Sequence, residues 1–127
     1  MNVAVISITR HGIATAGRVV GALPGAQLFA PEKFAAEAQA AAPGNAHGYG
    51  SKTGEQLGEL FATHDAIVAV LSLGATVRMI APFLRSKETD PAVVVLDEGG
   101  KFVIPVLSGH LGGANALAGH LATALGA

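Results

Sequence analysis

The chain has no cysteine and no tryptophan. The lack of thiols excludes disulfide scaffolds, thiolate zinc sites and thiol nucleophiles. It agrees with a cytoplasmic protein, which is the expected location. Charge is also scarce. Charged residues make up 13% of 127 positions, and eight basic against nine acidic side chains leave a formal charge of −1. That balance argues against nucleic-acid binding through a basic surface. No apolar run reaches the roughly 18 residues of a membrane span. Arg10 and His11 interrupt the first apolar stretch too early for a signal-peptide core. Neither nucleic acid nor membrane is therefore expected as a partner. Low-hydrophobicity disorder is excluded as well, because 50% of the residues are hydrophobic.

Small apolar residues are abundant instead. Alanine and glycine number 25 and 17, about a third of the chain, against only six aromatics. The glycines fall at joints between apolar segments rather than at every third position, which excludes collagen. The length suits one domain, 1–127, and hardly two. A chain of this size buries about two-thirds of its unfolded surface and needs no covalent staple.

Val3 to Ile8 (VAVISI), Ala66 to Leu71 (AIVAVL) and Ala92 to Leu96 (AVVVL) read as strands buried on both faces. Gln27 to Ala30 reads as another short strand. Arg10 to Leu23 is expected as a helix capped by Thr9, with Ile13, Gly17, Val20 and Leu23 as its apolar stripe. Pro31-Glu32 opens a second helix. Pro43 to Gly50 (PGNAHGYG) reads as the one true loop. Thr53 and Gln56 form a capping-box pattern ahead of a helix that turns Leu57, Leu60 and Phe61 inward. Ser72 to Thr76 is expected to turn the chain into a helix over Val77 to Leu84, kinked at Pro82. Asp97-Glu98-Gly99-Gly100 joins two extended runs as an antiparallel hairpin, and Pro105 assigns the second run to a sheet edge. A last helix carries Leu117, Leu121 and Leu125 and stops at Gly126. Strands alternating with helices imply an α/β fold: a mostly parallel, Rossmann-like sheet with helices on both faces and an antiparallel hairpin near the C-terminal part. The chain ends just after a helix-stopping glycine, where such folds usually add a strand, so the end reads as a cut.

Open α/β sheets bind ligands beyond the carboxyl ends of their strands. Three polar strand ends stand out: Ser7 to Arg10 with Thr9, Ser72 to Arg78 with Thr76 and Arg78, and Ser108 to Asn115 (SGHLGGAN). They are expected to gather on one rim, each offering hydroxyls and N–H groups to anions. The third is glycine-rich, with Ser108, Gly109, Gly112, Gly113 and Asn115, but fits neither the dinucleotide fingerprint nor a P-loop. Its alternative reading is that the glycines only let a helix pack closely. Asp97 and Glu98 can act on a water or simply shape the turn before Gly-Gly. Arg78 can grip a carboxylate in two-point fashion or be an ordinary surface arginine. The five histidines show no metal-ligand spacing, so no metal site is expected.

Three segments together resemble the N-terminal region of the CbiG family of cobalamin biosynthesis. They are Leu60 to Leu84, containing AIVAVLSLGATVRMIAPFL; Asp90 to Ala118, DPAVVVLDEGGKFVIPVLSGHLGGANALA; and Val3 to Gly12, VAVISITRHG. The resemblance covers nearly the whole chain. It implies a cobalt-precorrin-5A hydrolase of the anaerobic route, which opens a δ-lactone on the macrocycle and releases acetaldehyde. Family members continue into a linker and a C-terminal domain, so the resemblance implies an N-terminal domain or a stand-alone half. The cobalt belongs to the tetrapyrrole substrate, and no protein-held cofactor is implied. Asp97 and His110 are the expected catalytic pair. Thr9, Thr76, Arg78, Glu98, Ser108, Gly109, Gly112, Gly113 and Asn115 are the expected substrate-binding set. The implied partners are the cobalt-precorrin itself and either the family's C-terminal domain or another enzyme of the pathway; self-association stays open. The other reading is a non-catalytic module that binds a corrinoid or docks onto a pathway enzyme.

Overall fold

A computed structural model describes residues 1–109 and 112–127. The apolar runs become β1 (Val3–Ser7), β4 (Ala66–Val70) and β5 (Ala92–Leu96), and every residue in them is buried. Strands of this kind need cover on both faces. With β2 (Gln27–Pro31), β3 (Ala46–Tyr49) and β6 (Val103–Leu107) they form one sheet in the order β3-β2-β1-β4-β5-β6. Pairings among β1 to β5 are parallel, and β6 runs antiparallel to β5. Pro105 sits in that edge strand, where a missing N–H is tolerated.

Helices α1 (Arg10–Ala22), α2 (Ala35–Ala41) and α5 (Ala114–Leu125) cover one face. There Ile13, Ala16, Val19 and Leu121 pack with Val5, Leu28, Val68 and Val94. Helices α3 (Thr53–Thr63) and α4 (Leu73–Ile80) cover the other. Their Leu57, Leu60 and Ile80 close over Ile6, Ile67, Val93 and Val95. The expected α/β architecture, with helices on both faces and a β5–β6 hairpin, is what the chain adopts. Gly126 ends α5 in the left-handed conformation.

Local expectations need correction in four places. Residues 43–50 are not all loop, because β3 pairs with β2 from Leu28–Ala46 to Pro31–Tyr49. Only Tyr49 of that edge strand is buried, so it carries no apolar pattern. The capping box does not form. Lys52 occupies the cap without a side-chain bond, and Thr53 is already helical, its hydroxyl 2.9 Å from the Tyr49 hydroxyl. Helix α4 starts at Leu73, four residues early, because Ser72 caps it by accepting from the Ala75 N–H at 3.3 Å. Pro82 then falls in a 3₁₀ turn, Ala81–Phe83, which ends the helix. The α1 stripe is also rotated: Gly12, Ile13, Thr15, Ala16, Val19 and Val20 are buried, while Gly17 and Leu23 are only partly so.

Candidate functional site at the carboxyl rim

Ser7 pairs with Val70, and Val70 with Leu96, so the carboxyl ends of β1, β4 and β5 lie side by side. The chain leaves β1 toward β2 on one side and leaves β4 toward β5 on the other. Such a reversal of strand order opens the crevice in which α/β sheets take ligands. Thr9, Ser72, Thr76, Asp97 and Glu98 all follow these three strand ends.

At the β1 end, Thr9 caps α1, its hydroxyl accepting from the Gly12 N–H at 3.0 Å. Ser7 is fully buried, and its hydroxyl has no hydrogen-bond partner among the described residues. A side chain at Gly12 would overlap that hydroxyl, so the glycine lets α1 lie close on β1. Positions 7, 9 and 12 have the spacing of the G-x-G-x-x-G fingerprint, with only the last glycine present. Thr9 stands where the fingerprint needs a bare backbone, and its hydroxyl occupies one of the helix-terminal N–H groups. This is a second reason against a dinucleotide, and the frame was readable from spacing alone.

At the β4 end, Thr76 is fully buried and donates its hydroxyl to the Ser72 carbonyl at 2.9 Å. It therefore stabilises the first turn of α4 and presents nothing to a ligand. Arg78 is exposed on the same helix. With Lys52, Gly54, Glu55 and Met79 it lines a shallow cavity of about 360 Å³ between α3 and α4. Neither Arg78 nor Lys52 has a carboxylate partner among the described residues, where the one ion pair is Arg10–Glu37 at 2.8 Å.

At the β5 end, one oxygen of Asp97 accepts from the N–H groups of Phe102 at 2.7 Å and Lys101 at 2.9 Å. Those bonds, the Phe102 N–H first, hold its carboxyl below the usual carboxylate range. Asp97 is thus charged and a weak base, and it shapes the turn through one of its two oxygens. Glu98 is exposed, and its carbonyl accepts from the buried Thr15 hydroxyl of α1. This strap between α1 and the turn gave no signal in the sequence, since Thr15 lies 83 residues away.

The glycine-rich segment is elsewhere. Because β6 is antiparallel, Leu107 pairs with Val93 and Val103 with Leu96. The segment after Leu107 consequently begins at the amino ends of the parallel strands. Ser108 donates to the Asp90 carbonyl at 3.1 Å, and Gly113 lies beside Met1. A five-residue strand at about 3.3 Å per residue separates the two rims by roughly 13 Å. The expectation of one common rim is therefore wrong. Thr9, Thr76, Arg78, Asp97 and Glu98 belong to one end of the sheet. Ser108, Gly109, Gly112, Gly113 and Asn115 belong to the other. His110 lies outside the described residues. The described part of the loop folds on itself. The Asn115 amide lies against Gly109, and a side chain at Gly112 would come within 2.5 Å of Ser108 Cβ. Ser108 is the one non-glycine with positive φ (57°) among the described residues. Gly112 borders a cavity of about 390 Å³ with Met1, His64, Asp65, Glu88 and Asp90.

Among the described residues no group of three or more His, Asp or Glu could hold a metal ion, and no helix is long and apolar enough to cross a membrane.

Comparison with known proteins bears on this arrangement. The family model described as cobalamin synthesis G N-terminal matches residues 55–127. The chain is 41% identical over 122 residues to a cobalt-precorrin-5A hydrolase of Priestia megaterium, covering 96% of this chain and 32% of that protein. It is 40% identical over 126 residues to the cobalt-precorrin-5A hydrolase of Salmonella typhimurium, covering 99% and 34%. A crystal structure of a cobalamin biosynthesis protein G homolog from Sulfolobus solfataricus superposes with a TM-score of 0.69 at 26% identity, over 99% of this chain and 35% of that one. The chain spans about a third of the length of the curated relatives it matches. With the family model covering more than half of its residues, the chain belongs to the cobalamin synthesis G N-terminal family.

Proposed function

We propose that the chain acts in cobalamin biosynthesis as the N-terminal part of a cytoplasmic cobalt-precorrin-5A hydrolase. The observation that carries this is identity of about 40% over nearly the whole chain to two proteins of that name. In this reading water adds across the C–O bond of the macrocycle's δ-lactone, giving a carboxylate and an alcohol. The alcohol then loses its proton and its carbon–carbon bond to the ring breaks, so the two-carbon unit leaves as acetaldehyde and the electron pair stays on the macrocycle. The substrate carries the cobalt, so the chain needs no cofactor of its own.

The carboxyl rim supplies the chemistry for one part of this task. The second oxygen of Asp97 accepts a hydrogen bond from the attacking water and orients it. Its lowered proton affinity makes it a poor proton acceptor. Arg78 meets a peripheral carboxylate in two-point fashion. His110 keeps a proposed place in the reaction on residue type alone, as an imidazole, the side chain used most often for general acid–base work. Asp97 and the glycine segment act at separate ends of the sheet, so the segment serves a contact other than the one Asp97 makes. The remaining two-thirds of the hydrolase is the partner that completes the site.

The test combines this chain with the portion of the Priestia megaterium protein that it does not match. Acetaldehyde released from cobalt-precorrin-5A is followed by coupled NADH oxidation. Release is expected, with Asp97→Asn and His110→Ala each slowing it. No release, under conditions where the intact relative works, refutes the activity. Full rates in both variants would refute the assignment of roles.

A further inference from the structure

Helix α5 covers β6 on one face of the sheet, but on the α3/α4 face the outer part of β6 has no cover among the described residues. Helix α4 packs on β5 with α3 along one flank, where Met79 lies against Gly54. Thr76 and Ile80 of α4 are buried against the sheet. Leu73 and Val77, a turn apart, leave the flank opposite Met79, which faces β6, and are 42% and 45% exposed. Strand register continues this apolar surface onto β6. Ile104 pairs with Val95 of the core beneath α4, and so shares its face, yet is 39% exposed. Val103 turns to the α5 side, so Phe102 takes the Ile104 side by alternation, and it is 66% exposed. Val70 pairs with Leu96 and Leu96 with Val103, so α4 starts level with the beginning of β6. The four side chains therefore make one apolar surface at the carboxyl end of the sheet's outer edge, and a gathered surface of this kind marks a docking site.

Two observations indicate what covers it. Pro105 in β6 opposes the addition of a further strand, so the occupant lies on the face instead of lengthening the sheet, as a second copy joined edge to edge would. The chain matches only 32% and 34% of its curated relatives, and its family is described as N-terminal, so most of a relative follows the end of α5. Arg18 fixes where that end lies. It donates to the Leu125 carbonyl at 2.9 Å, and its guanidinium stands 3.4 Å from the place of a Cβ on Gly100. Helix α5 thus ends beside the β5–β6 turn, and polypeptide leaving it has only to round the start of β6 to reach Phe102.

We propose that Leu73, Val77, Phe102 and Ile104 seat an apolar face of the C-terminal part of the hydrolase. The proposal rests on the hydrolase reading above and gives the partner named there a surface. The N–H of Phe102 also holds Asp97 at 2.7 Å, so a body seated on this side chain closes over the Asp97 turn and brings its own groups to that carboxylate.

The chain has no cysteine, so Phe102→Cys gives it a single thiol. Maleimide labelling of that thiol, read by peptide mass, is compared in the chain alone and in a chimera where the chain replaces the matched third of the Priestia megaterium hydrolase. The chimera is expected to label about tenfold more slowly or less, because a covered thiol is out of reach. Ala36→Cys, exposed on α2 at the other edge of the sheet, is expected to label equally fast in both. A cooperative melt checks the chimera's fold; where it is lost, a cysteine in the intact Priestia megaterium protein at the position matched to Phe102 decides instead. Equal labelling at position 102 in a chimera that releases acetaldehyde overturns the seat and leaves the hydrolase reading standing. Slow labelling in a folded chimera that releases none upholds the seat and overturns that reading. Labelling that slows as the lone chain is concentrated, with no slowing in the chimera, overturns the seat in favour of a second copy.

Discussion

Replacing Gly12 by alanine tests the account of how α1 sits on β1. The added Cβ would overlap the Ser7 hydroxyl, stand 3.0 Å from the Thr9 hydroxyl and 3.5 Å from Val70 Cγ1. Overpacking of this kind costs about 1–3 kcal/mol. Alanine's better helix propensity returns at most about 1 kcal/mol. With the full gain subtracted the net loss is about 0–2 kcal/mol, which for a domain of this size lowers Tm by up to roughly 8 °C. Ser7→Ala removes both the main obstacle and a buried hydroxyl that lacks a partner, so alone it is neutral or stabilising by up to about 1 kcal/mol. The double variant should recover most of the Gly12→Ala loss, giving a coupling of about 1 kcal/mol. Urea denaturation followed by far-UV circular dichroism measures all four chains, since no tryptophan is available as a fluorescent reporter. Strict additivity in the double variant would refute the close approach of helix and strand.

Thr15→Val should lose about 1 kcal/mol and speed amide exchange at Gly100, because the bond to the Glu98 carbonyl goes; Thr15→Ser should keep both at wild type. Equal exchange in the valine variant would show that the strap does not hold the turn. Asp97 has a lowered pKa when folded, so its contribution to stability is complete above the ordinary carboxyl range and is lost as pH falls below about 4. Asp97→Asn should therefore flatten the acid limb of the stability curve relative to wild type, and an identical acid slope in urea melts would contradict the two backbone bonds. Leu121→Ala, at a fully buried position under α5, should cost about 2–5 kcal/mol, and a loss under about 1 kcal/mol would mean that α5 does not seal that face.

The parallel strands were legible because burial on both faces requires unbroken apolar runs, as in residues 66–71 and 92–96. Strand β3 was not, since AHGY buries only its tyrosine and owes its extended form to pairing with β2. The site was half legible. Thr9, Asp97 and Arg78 stand where strand-end reasoning puts them. The glycine segment does not, although the DEGG hairpin already implied it: a strand that turns back delivers whatever follows it to the far end of the sheet. Ser7 gave no warning either. Its hydroxyl is one polar atom in an otherwise apolar run, and only its neighbours reveal that nothing among the described residues satisfies it.

Reversal of the sixth strand sends the turn after β5 and the segment after β6 to opposite ends of the sheet, with the parallel strands between them. Residues at the two ends lie about one strand length apart, so substitutions at one are expected to be additive with those at the other. Chimeras that exchange residues 108–116 between relatives should alter what the amino end of the sheet does and leave the Asp97 turn at the other end intact.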